Sequence, residues 1–178
     1  IMRIISGKWG GRRISPPTNM PHTRPTTDIA KEGLFNILQN RMDFDGIDTL
    51  DLFGGTGCIS YELASRGAEH LTIVEKDKTM LDFIKKNIDF LKIENAITIQ
   101  MDVFQFLATC NQQYDIIFAG PPYALNTIDD LPKIIVEKKL ISPKGYFILE
   151  HTPRNNYENF AGFSFQRNYG ATVFSFFE

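Results

Sequence analysis

The amino-acid sequence predicts one α/β domain built around a mixed sheet. Apolar segments of strand length alternate along the chain with segments whose apolar residues recur at helical spacing. A glycine-rich turn, Gly54-Gly55-Thr56-Gly57, directly follows the first long apolar segment. Near the end, segments 163–168 and 172–177 flank Gly170 and predict a hairpin, which adds an antiparallel element to the parallel strands. A chain of 178 residues can bury the core of one such domain.

The strands and helices are predicted in order from these patterns. Several prolines between residues 16 and 25 predict a loop, after which Thr27 or Asp28 caps the first helix. Apolar runs predict strands at 47–53, 71–74, 96–101, 114–118 and 146–150. Helical spacing predicts helices after Gly57 and over 79–91, 103–107 and 128–140. Residues 142–145, Ser-Pro-Lys-Gly, are predicted to form the turn before the strand at 146–150.

The composition limits the class of protein. Its 43% hydrophobic and 22% charged residues are typical of a soluble globular protein. No apolar run approaches the ~20 residues that span a bilayer, and no signal-peptide pattern opens the chain, so we expect a cytoplasmic protein without a membrane partner. Cys58 and Cys110 lack metal-ligand spacing, which predicts free thiols and no metal site. Nothing indicates an obligate oligomer, so a monomer is expected.

The N-terminal segment is basic although the whole chain has a net charge of −2. Residues 1–31 contain six basic residues and one acidic residue, a net charge of +5, which leaves −7 for the remainder. Loose alternation over residues 2–14 predicts a small β-hairpin. A basic arm indicates contact with a polyanion, and a solvated basic tail is the alternative. Trp9 is expected either to be buried against the body or to offer a surface for base stacking.

The glycine turn and a downstream acid predict a cofactor that contains a nucleoside. Glycines permit positive φ and close approach of a ligand, and the following helix start offers unpaired N–H groups. Glu75 follows the apolar run 71–74, where an acid accepts hydrogen bonds from ribose hydroxyls. The pattern fits NAD, FAD and S-adenosylmethionine (SAM) alike, and a glycine turn without a ligand is a further alternative. Ser60 stands where the dinucleotide fingerprint has its third glycine, which weakens the NAD interpretation.

Two more groups follow predicted strand ends. Asp102 comes directly after the strand at 96–101, where it either caps the next helix or accepts a hydrogen bond from an adenine amine. Gly120-Pro121-Pro122-Tyr123 follows the strand at 114–118. Its prolines stiffen the loop, and its aromatic ring offers a flat face to a planar substrate. A rigid turn without a binding role is the alternative.

Taken together, these motifs resemble the RsmD-type methyltransferases, which transfer a methyl group from SAM to the N2 amine of a guanine in small-subunit (16S) ribosomal RNA. The matching stretches are 3–9, 24–28, 34–36, 51–57, 65–68, 74–75, 121–123 and 169–170. The resemblance implies a Rossmann-like class I SAM-dependent methyltransferase fold, with a seven-stranded mixed sheet, one antiparallel strand and helices on both faces. It further implies a basic hairpin arm over residues 1–23, which contacts RNA, and a SAM-binding domain over residues 24–178.

The same resemblance implies roles for individual residues. Glu75 would bind the ribose and Asp102 the adenine amine, while the segment around Arg24 would fold over the mouth of the pocket. The predicted cofactor-binding residues are Arg24, Thr26, Thr27, Asp51, Phe53, Gly54, Thr56, Gly57, Glu75, Lys76, Asp102 and Val103. The predicted catalytic residues are Gly120, Pro121, Pro122 and Tyr123, with Tyr123 stacked on the guanine. The predicted RNA contacts are Arg3, Lys8, Trp9, Arg12 and Arg13, and the implied partner is ribosomal RNA or the small ribosomal subunit.

Gly120 departs from the family motif, which has Asp or Asn before the two prolines. That side chain and the carbonyl of the following proline hold the target amine, so only the Pro121 carbonyl remains here. Loss of one preorganised electrostatic partner typically costs about 10²–10³ in rate. Three explanations are open: a slow enzyme or another acceptor such as a backbone carbonyl or water, a change introduced into this chain, or binding without turnover. We favour an active enzyme with impaired or relocated recognition of the amine.

Other functions remain as alternatives. N-methylation of a DNA base or of a protein glutamine uses the same chemistry, but the basic arm and the lack of a separate target-recognition domain favour a folded RNA. A catalytically silent factor that binds SAM and RNA during ribosome assembly would explain Gly120. An NAD oxidoreductase is disfavoured, because no His, Lys or Tyr lies in an obvious hydride-relay arrangement.

Overall fold

The computed structural model describes residues 2–16, 18 and 26–178. Within these residues the elements follow in this order: β1 (Met2–Arg3), β2 (Arg13–Ile14), α1 (Asp28–Arg41), β3 (Asp48–Leu52), α2 (Cys58–Ser65), β4 (His70–Glu75), α3 (Lys78–Leu91), β5 (Ala96–Gln100), α4 (Val103–Thr109), β6 (Tyr114–Ala119), α5 (Asp130–Glu137), β7 (Ile141–His151), β8 (Phe163–Tyr169) and β9 (Thr172–Phe177). The predicted role of Arg24 lies outside the described residues.

The central sheet has seven strands in the order β5-β4-β3-β6-β7-β9-β8. Strands β3 to β7 are parallel, whereas β9 runs antiparallel to both of its neighbours, β7 and β8. The predicted mixed sheet with one antiparallel strand is therefore confirmed. The strand order reverses between β3 and β6. Ligands bind at such a reversal, outside the carboxyl ends of the strands.

Helices cover both faces of this sheet, as predicted. Successive strand residues point to opposite faces, so Phe118 joins one hydrophobic cluster and its neighbour Ile117 joins the other. The first cluster includes residues of α1, α2 and α3, and the second includes residues of α4 and α5. In the described part of the chain, no helix has the length and apolarity that crossing a bilayer requires.

The predicted N-terminal hairpin is present and packs on the same core. Strands β1 and β2 pair antiparallel, with Met2 opposite Ile14. Ile4 and Ile14 are buried in one cluster with Leu34 and Phe35 of α1. The hairpin is thus attached to the domain through apolar contacts as well as through the polar contacts of α2.

Those polar contacts centre on Glu62, which is fully buried. Its carboxylate accepts the N–H groups of Ile5 at 2.8 Å and Ser6 at 3.1 Å. Lys31 Nζ lies 3.1 Å from one carboxylate oxygen, and Arg66 Nε lies 2.8 Å from the other. Burial by itself raises the pKa of Glu62, but these four partners outweigh it and hold the pKa below its usual value. We call this group of five residues the Glu62 cluster.

One prediction about the sheet is wrong. Residues 142–145 do not form a turn before a strand but belong to β7, which already begins at Ile141. The register between β6 and β7 shifts between Tyr114 and Ile116, and Lys144 adopts a positive φ of 68°. A bulge of this kind accommodates Pro and Gly within a strand. Ser142 secures it, because its hydroxyl donates to Asp115 Oδ1 at 2.6 Å.

Candidate active site

A cavity of about 570 Å³ opens at the carboxyl ends of the central strands, where the strand order reverses. Cofactor sites commonly have volumes of ~300–1,000 Å³. Most of the predicted site residues line this cavity: Thr26, Asp51, Phe53, Gly54, Thr56, Glu75, Lys76, Asp102, Val103, Gly120, Pro121 and Pro122. Thr27, Gly57 and Tyr123 are not among the described residues that line it. Thr27 instead caps α1, where its hydroxyl accepts the N–H of Ala30 at 3.2 Å.

The glycine turn forms one wall of the cavity. A Cβ atom on Gly54 would lie only 2.6 Å from Cγ2 of Ile73 in β4. Only glycine therefore fits at this position, where the chain leaves β3 beside β4. Phe53 adopts a positive φ of 61°, which is unusual for a side chain of this size. Gly57 ends the turn in the left-handed region and precedes α2 as its N-cap. Phe53 therefore stores backbone strain at this wall of the cavity, as functional sites often do.

Asp51 is a buried acid near the end of β3, with 2% of its surface exposed. Ser60 donates its hydroxyl to Asp51 Oδ2 at 2.7 Å. Burial, with a smaller contribution from the nearby charge of Glu75, raises the pKa of Asp51 to about 7 against the opposing hydrogen bonds of Ser60. A carboxylate that ionises with such difficulty would be stabilised by a cationic ligand in the cavity.

Glu75 and Asp102 stand at or just beyond the ends of the next two strands, β4 and β5. The carboxylate of Glu75 accepts the N–H of Gly55 and the N–H of Asp77, each at 2.9 Å. Asp102 caps α4, accepting the N–H groups of Phe104 at 2.9 Å and Gln105 at 3.2 Å, both through Oδ2. The capping role considered for Asp102 is therefore present. Both acids also line the cavity, where the ribose and adenine of a nucleoside would need acceptors.

The other wall contains Gly120, Pro121 and Pro122, just beyond β6. Pro122 places its carbonyl in a turn, because this oxygen accepts the N–H of Leu125 at 3.0 Å. Leu52 of β3 pairs with Ala119 of β6 in the parallel ladder. The two strands therefore end next to each other. The glycine turn begins after Leu52, and the proline loop begins after Ala119.

Glu150, which no sequence motif singles out, also lines the cavity. Glu150 lies near the end of β7 with 1% of its surface exposed, and Thr26 donates its hydroxyl to Glu150 Oε1 at 2.6 Å. The rule that singled out Glu75, an acid at the carboxyl end of a parallel strand, could have found Glu150 as well. Thr26 lies 124 residues away in the chain, so no local spacing reveals the contact.

The predicted RNA contacts lie on the hairpin, and four of the five are exposed. Arg3 Nε lies 3.1 Å from Asp28 Oδ2 in an exposed ion pair. Lys8 Nζ lies 5.0 Å from the centre of the Trp9 ring, and Trp9 itself packs half-buried against the core. Arg12 lies over the ring of Phe90 at 5.8 Å, and Phe90 is 66% exposed.

The residues of the cavity fit SAM. A buried carboxylate with a pKa of about 7 suits the positive charges of this cofactor, and two acids at adjacent strand ends suit its nucleoside. Among residues 2–16, 18 and 26–178, no group of three or more His, Cys, Asp or Glu could hold a metal ion.

Comparison with known proteins agrees with this architecture. The strand order, the single antiparallel strand and the cavity at the reversal define the class, a SAM-dependent methyltransferase with a Rossmann-like fold. Among solved structures, the chain aligns with the 16S rRNA N2 methyltransferase of Thermus thermophilus in complex with AdoMet and guanosine. The TM-score is 0.68 at 25% identity, over 86% of this chain and 43% of that chain.

The chain belongs to the family described as conserved hypothetical protein 95, whose family model matches residues 2–178. A relative in Haemophilus influenzae, named ribosomal RNA small subunit methyltransferase D, is 34% identical over 153 residues, which cover 84% of this chain and 78% of the relative. A further Thermus thermophilus protein, described as hypothetical, aligns with a TM-score of 0.86 at 26% identity, over 100% of this chain and 99% of that chain. The resemblance to RsmD-type enzymes is confirmed.

Proposed function

We propose that the protein transfers a methyl group from SAM to the exocyclic N2 amine of a guanine in 16S ribosomal RNA. The observation that carries this proposal is the shared cavity of the glycine turn and the proline loop. Because Leu52 pairs with Ala119, the glycine turn and the proline loop begin side by side at the edge of the sheet. The relative named ribosomal RNA small subunit methyltransferase D supports the choice of substrate. Such a substrate implies action in the cytoplasm.

The chain's own residues would bind and orient the two reactants. When bound, SAM supplies a methyl group made electrophilic by the adjacent positive sulfur. We assign Asp51 and the glycine turn to the methionine end of SAM, Glu75 to its ribose and Asp102 to its adenine. The Pro121 carbonyl would accept one N–H of the target amine, which fixes the nitrogen in line with the methyl group. Tyr123, just beyond the cavity lining, would stack on the guanine.

We assign RNA binding to the hairpin arm over residues 1–23, and SAM binding to residues 24–178. Lys8, Arg12 and Arg13 are exposed on the hairpin and could neutralise phosphates. Replacing Arg12 and Arg13 by Ala should weaken RNA binding and flatten its salt dependence by about one unit of slope per lost phosphate contact. An unchanged slope, measured by titration at several salt concentrations, would show that these two side chains do not contact RNA.

The direct experiment measures transfer of a labelled methyl group from SAM to small ribosomal subunits that lack the modification. Nucleoside analysis of the product RNA should identify N2-methylguanine, and calorimetry should detect SAM binding. Absence of SAM binding at millimolar concentration would refute the proposal. Competing DNA, peptide and ribosomal substrates in the same assay would separate methylation of RNA from methylation of a DNA base or a glutamine.

Gly120 favours a second candidate, a silent factor that binds SAM and RNA during ribosome assembly. Its lack of a side chain removes the acceptor that the resemblance expects beside Pro121. Under this candidate the unmodified chain binds SAM and the small subunit but transfers nothing, whereas Gly120→Asp gains transfer. Detectable transfer by the unmodified chain would exclude this candidate.

A further inference from the structure

We propose that Glu150 takes the place of a side-chain acceptor at position 120 and binds the target amine directly. This inference rests on the proposed function, because it assigns a residue to the amine that receives the methyl group. It concerns a carboxylate on β7 that the sequence motifs did not single out.

The sheet places Glu150 beside Gly120. Ala119 of β6 pairs with Leu149 of β7, so the next residues along the two strands are Gly120 and Glu150. A Cβ atom on Gly120 would lie 3.9 Å from Glu150 Oε1. The Glu150 carboxylate therefore borders the space that a longer side chain at position 120 would occupy. The acceptor group reaches this space from the neighbouring strand instead of from the proline loop.

Glu150 is held in a defined orientation at the cavity. It is almost fully buried, and the Thr26 hydroxyl donates to its Oε1 atom at 2.6 Å. A carboxylate offers about four lone-pair sites, so it can accept hydrogen bonds from the protein and from a ligand together. Hydrogen bonds to a charged acceptor are also stronger than bonds to a neutral carbonyl. Glu150 is thus suited to hold an N–H group opposite the Pro121 carbonyl.

The other acids that line the cavity occupy the cofactor side. Asp51 and Glu75 lie near the carboxyl ends of β3 and β4, next to the glycine turn, which follows β3 and donates the N–H of Gly55 to Glu75. Asp77 and Asp102 cap α3 and α4, accepting backbone N–H groups there. Among the acids that the structure describes in the lining, Glu150 is the one that lies on the β7 side of Gly120. This position would separate it from the ribose and adenine of bound SAM.

The chemistry balances with Glu150 as acceptor. The lone pair of the amine nitrogen forms the bond to the methyl carbon while the carbon–sulfur bond breaks and sulfur keeps its electron pair. The positive charge passes from sulfur to nitrogen, where a nearby carboxylate stabilises it. The nitrogen then releases one proton along its hydrogen bond to Glu150, and from there the proton passes to water. The products are the methylated amine and a neutral thioether.

The test compares five chains in single-turnover methyl transfer to small ribosomal subunits that lack the modification. They are the unmodified chain, Glu150→Gln, Gly120→Asp, Gly120→Asp with Glu150→Gln, and the control Glu137→Gln on the exposed side of α5. We expect Glu150→Gln to lose about 10²–10³-fold in rate, by analogy with the loss of one electrostatic partner. SAM affinity by calorimetry should stay within about twofold, because the variant alters the amine side of the cavity. Restoring a carboxylate through Gly120→Asp should recover at least about tenfold of that rate, which a merely unfolded Glu150→Gln chain could not do.

Each alternative result overturns a distinct statement. Equal rates for Glu150→Gln and the unmodified chain would refute the role of Glu150 and leave the proposed function intact. A parallel loss of SAM affinity would assign Glu150 to the cofactor. If the unmodified chain were inactive while Gly120→Asp alone transferred methyl groups, Glu150 would not serve as an acceptor. If no variant transferred methyl groups or bound SAM, the proposed function itself would fall.

Discussion

Two buried acids lie on or against helix α2, and they differ in how the fold treats their charge. Glu62 on α2 has four partners, and its pKa is lowered in spite of burial. Asp51 on β3 contacts α2 through the Ser60 hydroxyl, and burial raises its pKa to about 7. The first carboxylate has its charge balanced within the protein. The second leaves its balance to whatever enters the cavity.

This difference in charge balance distinguishes an acid that attaches a segment of the protein from an acid that faces a ligand site. A fully partnered buried ion fixes neighbouring segments, and removing one partner leaves another charge uncompensated. A poorly partnered one raises the energy of the empty site and lowers that of a site filled by a cation. In this protein the attached segment is the N-terminal hairpin, and the binding region is the cavity at the strand ends.

The largest expected effect is on the Glu62 cluster. Glu62→Gln leaves Lys31 and Arg66 without their carboxylate, and both side chains are nearly buried. The amide nitrogen of the new Gln would also face backbone N–H donors. We expect a loss of about 3–5 kcal/mol in the free energy of unfolding, measured by urea denaturation. The exposed Glu32→Gln on α1 serves as control, and an equal loss in both variants would show that Glu62 has no special structural role.

Asp51→Asn should have the next largest effect, and on ligand affinity instead of folding. The substitution keeps an acceptor for Ser60 but removes the charge that faces the cofactor. Calorimetry should show SAM binding weakened by about 10–100-fold, equivalent to one charged hydrogen bond. The chain without SAM should lose no stability at neutral pH. A destabilised variant with unchanged SAM affinity would reverse our assignment of the two acids.

The raised pKa of Asp51 also predicts a dependence on pH. Between about pH 4 and 7 the folded chain retains a proton that the unfolded chain has released, because the folded pKa is about 7 and the usual value is 3.8. This group therefore lowers stability as the pH rises through that window. SAM binding at about pH 6 should release close to one proton, measured in buffers of different ionisation enthalpy. The Asp51→Asn variant should release almost none, and an equal release from both chains would contradict this assignment.

The smallest expected effect tests attachment without charge. Ser65 on α2 donates its hydroxyl to the Ser6 carbonyl at 2.6 Å and accepts the N–H of Trp9 at 2.9 Å. Ser65→Ala should cost about 1 kcal/mol in unfolding free energy, because these are neutral hydrogen bonds. Tryptophan fluorescence should report loosening around Trp9. A cost as large as that of Glu62→Gln would indicate that charge is not what distinguishes the Glu62 cluster.

Much of the fold, and of the cavity wall around the glycine turn, could be predicted from local patterns. Glu75 ends a strand at a recognisable spacing after the glycine turn, and Thr27 precedes its helix as caps do. The bulge in β7 could not be predicted this way, because Pro143 and Gly145 carry a turn signal, whereas the pairing of Ile141 and Tyr146 with β6 on either side keeps them within the strand. Tertiary pairing decides such a segment, and single-residue preferences do not.

The wall of the cavity around the proline loop was predicted less completely, for a related reason. Glu150 acquires its place through the pairing of Leu149 with Ala119 and through Thr26, far away in the chain. The buried Glu62 was likewise missed, since a lone acid within an amphipathic helix resembles a surface residue until the hairpin covers it. Local sequence patterns identify site residues that belong to short motifs. Residues such as Glu150 and Glu62, whose roles depend on contacts between distant segments, are identified only in the folded structure.

Helix α2 has a consequence for the dimensions of anything that bridges its two ends. Thr56 and Cys58 at its start line the cavity, and Glu62 and Ser65 towards its end hold the hairpin. Eight helical residues rise by about 12 Å, and hydrogen bonds within the helix keep that length constant. The helix therefore holds the hairpin and the cavity at a fixed separation. A molecule that contacts both must span that distance.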